Sequence, residues 1–319
     1  MMNMIWMGSG LFRTGRDSAL RCPRPQRSEG RSERGRTRAS VIRFRRLTLR
    51  STTGTPQRGV PTSKWTAMCR ALGLCLLLLA FAGIGRAEDL SFTNFVARGD
   101  VAEKRGDAAA ALRAYVAADH SSTNCADLCL LTKRYCDLMY DASSPDIQKT
   151  LAEKALACAS RAEQADPKSA TAHLCVAVCY AKNFPWCDNE TKVKWSRAMK
   201  VECETAIGLD PKQDVSYYLL GRWYFGTANM GFLSRSVVKV IYGGLPQASN
   251  EDAIRNFKQA IALAPGRIIH HRELAKVYEA TGDTKLERTE LVTCARLKPV
   301  DRDDADAQRD AAVRLGELR

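Results

Sequence analysis

The chain has 319 residues, a formal charge of +14 and an isoelectric point near 9.4. Fourteen Arg and one Lys against three acidic residues fall in 1–67, and two more Arg fall in 68–87, so residues 88–319 are neutral. The basic balance therefore belongs to a leader, and the charge of the body of the protein gives no argument for nucleic acid as a partner.

Residues 1–67 are rich in Arg, Ser, Thr, Gly and Pro and have no sustained apolar period. Such a segment buries too little apolar surface to offset the entropy of ordering it. It reads as a disordered basic leader or as an upstream extension before the true start. From Met68 the run "MCRALGLCLLLLAFAGIGRAED" sets Arg70 before an apolar core from Ala71 to Ile84. Gly85-Arg86-Ala87 then places small residues at the positions a signal peptidase requires. Residues 68–87 have the anatomy of a secretory signal peptide and are short for a membrane span. The expectation is a secreted or periplasmic protein with Met68 as its start. The alternative is a membrane-anchored or organellar protein, with membrane contact through the uncleaved 68–87 segment alone.

Residues 88–300 are dominated by helix formers and carry an irregular internal repeat, which predicts an all-α fold. The first copy has Gly99, Ala102, Gly106-Asp107, Ala111, Tyr115 and Ala118; the second has Ala155, Ala159, Ala162 and Pro167. The third has His173, Val176, Ala177, Tyr180, Ala206 and Pro211, and the fourth Leu220, Gly221, Tyr224, Ala253, Phe257, Ala260 and Pro265. The fifth, with Leu274, Ala275, Tyr278, Gly282-Asp283, Leu291, Cys294 and Pro299, resembles a complete tetratricopeptide repeat. Small residues let two helices cross closely, and each Pro stops a second helix because it lacks an N–H donor. The closing prolines at 167, 211, 265 and 299 are spaced 44, 54 and 34 apart. Only the last spacing matches an uninterrupted repeat of about 34 residues, so repeats two to four are expected to carry long inter-helix segments. Residues 301–319 read as a capping helix, with Ala311, Leu315 and Leu318 on one face and charge on the other, as the end of a helical-hairpin solenoid requires.

The segments "ETKVKWSRAMKVECETAIGLDP", "LLGRWYF", "YGGLPQASNEDAIRNFKQAIALAP" and "HHRELAKVYEATGD" together resemble the regulator of microtubule dynamics family. The resemblance covers roughly 152–299. It implies a tetratricopeptide-like, non-catalytic adaptor fold, with microtubule or mitochondrial association in animal members. Tubulin is a partner on this reading only for a cytosolic chain.

In such a solenoid the first helices line the concave groove. Counting from the repeat places Lys182, Tyr218, Arg222, Phe225, Arg272, Lys276 and Glu279 there. These cations around two aromatics could clamp an acidic peptide segment or a terminal carboxylate through charge-assisted hydrogen bonds, which predicts a protein-interaction scaffold. The other reading is that Arg222 and Arg272 are paired or solvated and that Phe225 packs beneath the insertion. That insertion, "GTANMGFLSRSVVKVIYGGLPQASN", sets Leu233, Val237, Val240 and Ile241 at helical spacing opposite Arg235 and Lys239, bracketed by Gly231, Gly243 and Gly244. It is expected to fold back on the repeats and fill one end of the groove; the alternative leaves its apolar stripe to a partner or a membrane. Ser249 before Glu251 and Asp252 predicts the start of the next helix.

Nine cysteines lie in 88–319. Cys125 and Cys129 are four apart, as are Cys175 and Cys179, with Cys136, Cys158, Cys187, Cys203 and Cys294 scattered. No Cys-x-x-Cys knuckle is present, so no metal and no cofactor are assigned. In an oxidising compartment a disulfide between the 125/129 and 175/179 helices fits the spacing of adjacent repeats. His270 is expected to face outward and His271 to sit at a packing position. Neither stands beside a nucleophile at a strained turn or a Gly-rich phosphate loop in sequence, so no enzyme is predicted.

Overall fold

The computed structural model describes residues 91–300 and 303–318, and every regular element among them is helical. The leader and the 68–87 segment lie outside the described residues. Helices α1 (91–104) and α2 (Ala108–Asp119) form the first hairpin, with α1 running from the first described residue. The second pairs α3 (Cys125–Asp141) with α4 (Pro145–Ala165), and the third pairs α5 (Ala170–Asn183) with α6 (Asn189–Leu209). The fourth joins α7 (Asp214–Ala228) to α9 (Asn250–Leu263) through α8 (Phe232–Tyr242). The fifth is α10 (Ile268–Thr281) with α11 (Thr284–Arg296), and α12 (Asp304–Glu317) caps the stack.

Local chemistry sets the ends. Asp107, Asn124, Ser169, Asp188, Ser249 and Asp283 each accept a backbone N–H of the first turn of the helix that follows, satisfying donors that would otherwise be orphaned. Pro145 opens α4 at a position where no N–H is needed. Gly106 and Gly282 turn their hairpins at φ of +75° and +77°, where a Cβ would be strained.

Packing follows the large-small pairing of the repeats. A Cβ on Gly99 would meet the Tyr115 ring at 2.2 Å, and one on Gly221 would meet Phe257 at 2.9 Å. Tyr115 and Phe257 are both fully buried, so each fills the notch its glycine leaves. Two apolar clusters run along the stack and meet at α5, which gives Val176 and Cys179 to one and Ala177 and Ala181 to the other. The apolar clusters thus pass from hairpin to hairpin, as in a repeat array, while Tyr140 of α3 hydrogen-bonds Asp306 of α12 and so joins the second hairpin to the cap. The Asn183 amide donates to Ala152 O at 2.9 Å, tying the third hairpin to the second.

The expectation of long inter-helix segments in repeats two to four holds only for repeat four. In repeats two and three the extra residues lengthen α4 and α6 to 21 residues each, and residues 142–144 and 184–188 suffice as links. In repeat four the insertion is the amphipathic helix α8, closed by Gly243 and Gly244 at φ of +75° and +83°. It does not fill the groove. Val238 alone of its residues is buried, against Val193 of α6 and Met230. Phe232, Leu233, Val237, Val240 and Ile241 are exposed. Polar anchors set this pose: Arg197 of α6 binds the carbonyls of Tyr242 and Gly244, and Arg235 donates to Ala228 O at 2.6 Å.

Candidate functional site: the cavity between the first helices

The first helices α3, α5, α7 and α10 enclose a cavity of about 870 Å³, with Val300 and Asp303 reaching in ahead of α12. Its walls carry Leu130, Leu174, Val178, Val215, Leu219 and Ile269. Lys133, Lys182, Arg222 and Arg267 supply positive charge, and Asp137, Asp166 and Asp303 negative charge. Lys133, Asp137, Lys182 and Arg222 sit there because α3, α5 and α7 turn one face inward, whereas Asp166, Arg267 and Asp303 come from the segments just before α5, α10 and α12. On α3 this face reads Cys125, Cys129, Lys133 and Cys136 in nearly four-residue steps.

Most of the charge is internally balanced. Lys133 pairs with Asp137 at 2.9 Å. Arg222, 7% exposed, sets its Nε 3.7 Å from the Glu273 carboxylate and its guanidinium 5.8 Å from the Tyr218 ring centre. Glu273 also receives Lys276 at 2.5 Å. Burial pushes the Glu273 carboxyl up, but Lys276 and then Arg222 outweigh it and hold the group below its ordinary value. The Asp214 carboxylate lies 2.8 Å from Nε2 of His270 and 3.1 Å from Arg267. Burial dominates His270, pushing its imidazole pKa down although the Asp214 hydrogen bond opposes it.

Lys182 is different. It is 6% exposed, lines the cavity beside Cys136, and forms no ion pair among the described residues. A buried ammonium among apolar walls is costly unless an anion meets it. The arrangement is suited to an amphipathic anion whose apolar part fills the cavity.

Of the residues placed in the groove from sequence, Lys182, Tyr218 and Arg222 line the cavity. Phe225, Arg272, Lys276 and Glu279 do not line it. Phe225 packs, half-buried, on the apolar cluster of α5 to α12. Glu279 is exposed, 3.5 Å from Arg314 of α12. The cause is the register of α10: the cap α12 packs on it, and the cavity side falls to Arg267, Ile269 and His270 instead. His270 is therefore fully buried, against expectation, while His271 is buried as expected. Lys133, Asp137, Arg267 and Asp303 were missed. The stepped Cys-Lys stripe of α3 was the available signal for Lys133; Asp303 enters only through the path of the chain into α12.

The nine cysteines among the described residues are free thiols. The Cys175 thiol donates to the Cys129 carbonyl at 3.9 Å across α3 and α5. The helices named for a disulfide are thus neighbours, with the thiols reduced. Cys203 and Cys294 are fully buried at repeat packing positions, and burial pushes the Cys294 thiol up to about 12.

The family model for regulator of microtubule dynamics protein 1-3 matches residues 95–319. Relatives include regulator of microtubule dynamics protein 2 of Rattus norvegicus, 27% identical over 59% of this chain and 46% of its own length. Protein 3 of Xenopus laevis is 28% identical over 56% of this chain and 38% of its own, and protein 1 of Mus musculus 28% over 54% and 57%. The chain thus spans about half the length of the curated relatives it matches. Among solved structures, a thermophilic TPR protein of Thermus thermophilus aligns over 70% of this chain and 100% of its own, at 16% identity and a TM-score of 0.49. MamA aligns over 70% and 94%, at 19% identity and a TM-score of 0.39.

Proposed function

The chain belongs to the regulator of microtubule dynamics family, and we propose that it is a non-catalytic interaction module that receives an acidic peptide segment in the cavity between α3, α5, α7 and α10. The observation that carries this reading is Lys182, a buried cation without an ion partner among the described residues, on an apolar wall. A carboxylate placed there would gain a charge-assisted hydrogen bond in a low-dielectric site. Arg222 shapes the pocket beside Tyr218, but its charge is already committed to Glu273. Peptide pools that differ only in carrying Glu or Gln among apolar residues provide the test. Retention of the Glu pool over the Gln pool is expected; equal retention would remove the acidic-segment reading. A clearly positive turnover assay on broad hydrolase substrates would overturn the non-catalytic part.

The names of the relatives favour a second reading, association with microtubules. Localisation separates the two. The apolar 68–87 run supports an exported chain, for which the N-terminus of the mature protein is expected at Glu88. A chain that keeps Met68 in cells moves the microtubule reading forward, and co-sedimentation with polymerised tubulin then decides it.

A further inference from the structure

Away from the cavity, two hairpins repeat one histidine arrangement. His173 and His271 each lie six residues after the proline that closes the preceding helix pair. Nε2 of His173 is 3.0 Å from Pro167 O, and Nε2 of His271 is 3.1 Å from Pro265 O. A carbonyl can only accept, so Nε2 carries the proton in both rings. Each Nδ1 then faces a glutamate on the following helix at 2.7 Å, Glu202 for His173 and Glu290 for His271. Both glutamates stand four residues before the repeat's small packing residue, Ala206 or Cys294.

The two sites differ at one position. Glu163 of α4 brings a second carboxylate to 3.7 Å from His173 Nδ1. Glu163 follows Ala162; the residue that follows the equivalent Ala260 on α9 is Ile261. The His271 site therefore has one carboxylate and the His173 site has two. Among the described residues neither Glu163 nor Glu202 has a lysine or arginine ion partner. Charge counting separates the sites. One proton on Nδ1 balances Glu290 in the fifth repeat, but in the third it leaves a carboxylate in excess. A doubly charged cation bound to Nδ1 and both carboxylates would balance all three.

We propose that Glu163, His173 and Glu202, whose ligand atoms all lie within 4.8 Å of one another, form a binding site for a divalent metal ion of the Zn²⁺ class. One imidazole nitrogen and two carboxylate oxygens are a donor set that this class accepts, with water as the fourth ligand. The His173 side chain is 10% exposed and Glu202 15%, whereas Glu163 is 33% exposed and gives the ion a way in. The Nε2–H bond to Pro167 O is the outer contact that fixes the ring's tautomer and orientation. Because the three residues come from α4, α5 and α6, the ion would clasp the second hairpin to the third.

The test is calorimetric titration of the reduced full chain with Zn²⁺, paired with thermal unfolding with and without the metal. Cysteine sites contribute equally to every variant, so the difference between variants is what is read. Glu163→Gln is expected to lose one bound equivalent and the rise in Tm that Zn²⁺ gives the native chain. Glu290→Gln should keep both. Glu163→Ile, which copies the residue present in repeat four, covers the case in which the amide variant folds poorly. Unchanged stoichiometry and Tm response in the folded Glu163 variants, or no binding by the native chain, would overturn the site.

Discussion

At the scale of single residues, the repeat works through notches and brackets. Gly221 leaves room for the Phe257 ring, 2.9 Å from where a Cβ would stand, and the ring belongs to a fully buried side chain that cannot retreat to solvent. Gly221→Ala is therefore expected to destabilise the protein by about 1–3 kcal/mol through overpacking, read as a lower denaturant midpoint at unchanged slope. An unchanged midpoint would mean that the helices slide apart without penalty. The His271 bracket carries a pH dependence. Burial pushes this imidazole down, but the Glu290 hydrogen bond, the Pro265 carbonyl and the Glu290 charge outweigh burial and hold its pKa above the ordinary 6.5. The folded state thus binds the proton more tightly than the unfolded chain. The stability this gives is fully present below pH 6.5 and is lost as pH rises through the folded value. Glu290→Gln should cost more stability near about pH 5.5 than near about pH 8.5; denaturant titrations at the two pH values check this, and an equal cost at both would contradict it.

At the scale of elements, α8 shows what sequence could and could not supply. Its helical spacing, its Gly brackets and the Ser249 cap of the next helix were all legible, because they are set by local chemistry. Its pose was not. The stripe that sequence turned toward the groove is held outward by Arg197 of α6, which binds carbonyls at the C-terminal end of α8, and by Arg235 of α8, which binds the end of α7; no periodicity reports an anchor from another hairpin such as Arg197. A contrast follows between two faces of one helix. Phe232 and Val240 are 81% and 84% exposed, so Phe232→Ser with Val240→Ser should leave unfolding free energy within about 0.5 kcal/mol for each site. Val238 is 4% exposed, and Val238→Ala should cost about 1–3 kcal/mol. The same denaturation curves settle both. The length of repeats two and three was misread for a related reason: proline spacing counts residues, and a longer helix and a longer loop count alike.

At the scale of the whole molecule, the hairpin order, the terminal cap and the large-small packing were readable because each arises within about one repeat length. The lining of the cavity was half readable. Lys182, Tyr218 and Arg222 line it through the register of α5 and α7, whereas Arg272, Lys276 and Glu279 do not, because α12 packs against α10 and fixes which side meets the cavity. The net charge of the whole chain also misleads, since it resides in residues 1–87; what matters at the cavity is a single buried ammonium.

The most direct test of the cavity as the binding site is the affinity of the Lys182→Met chain for a labelled peptide selected from the Glu pool, measured by fluorescence anisotropy. Methionine keeps the stem and removes a buried charge, so the chain should stay folded at equal or higher stability. Affinity should fall about tenfold or more, as loss of a charge-assisted hydrogen bond predicts. Equal affinity for the native and Lys182→Met chains would place the partner elsewhere on the solenoid and contradict the account.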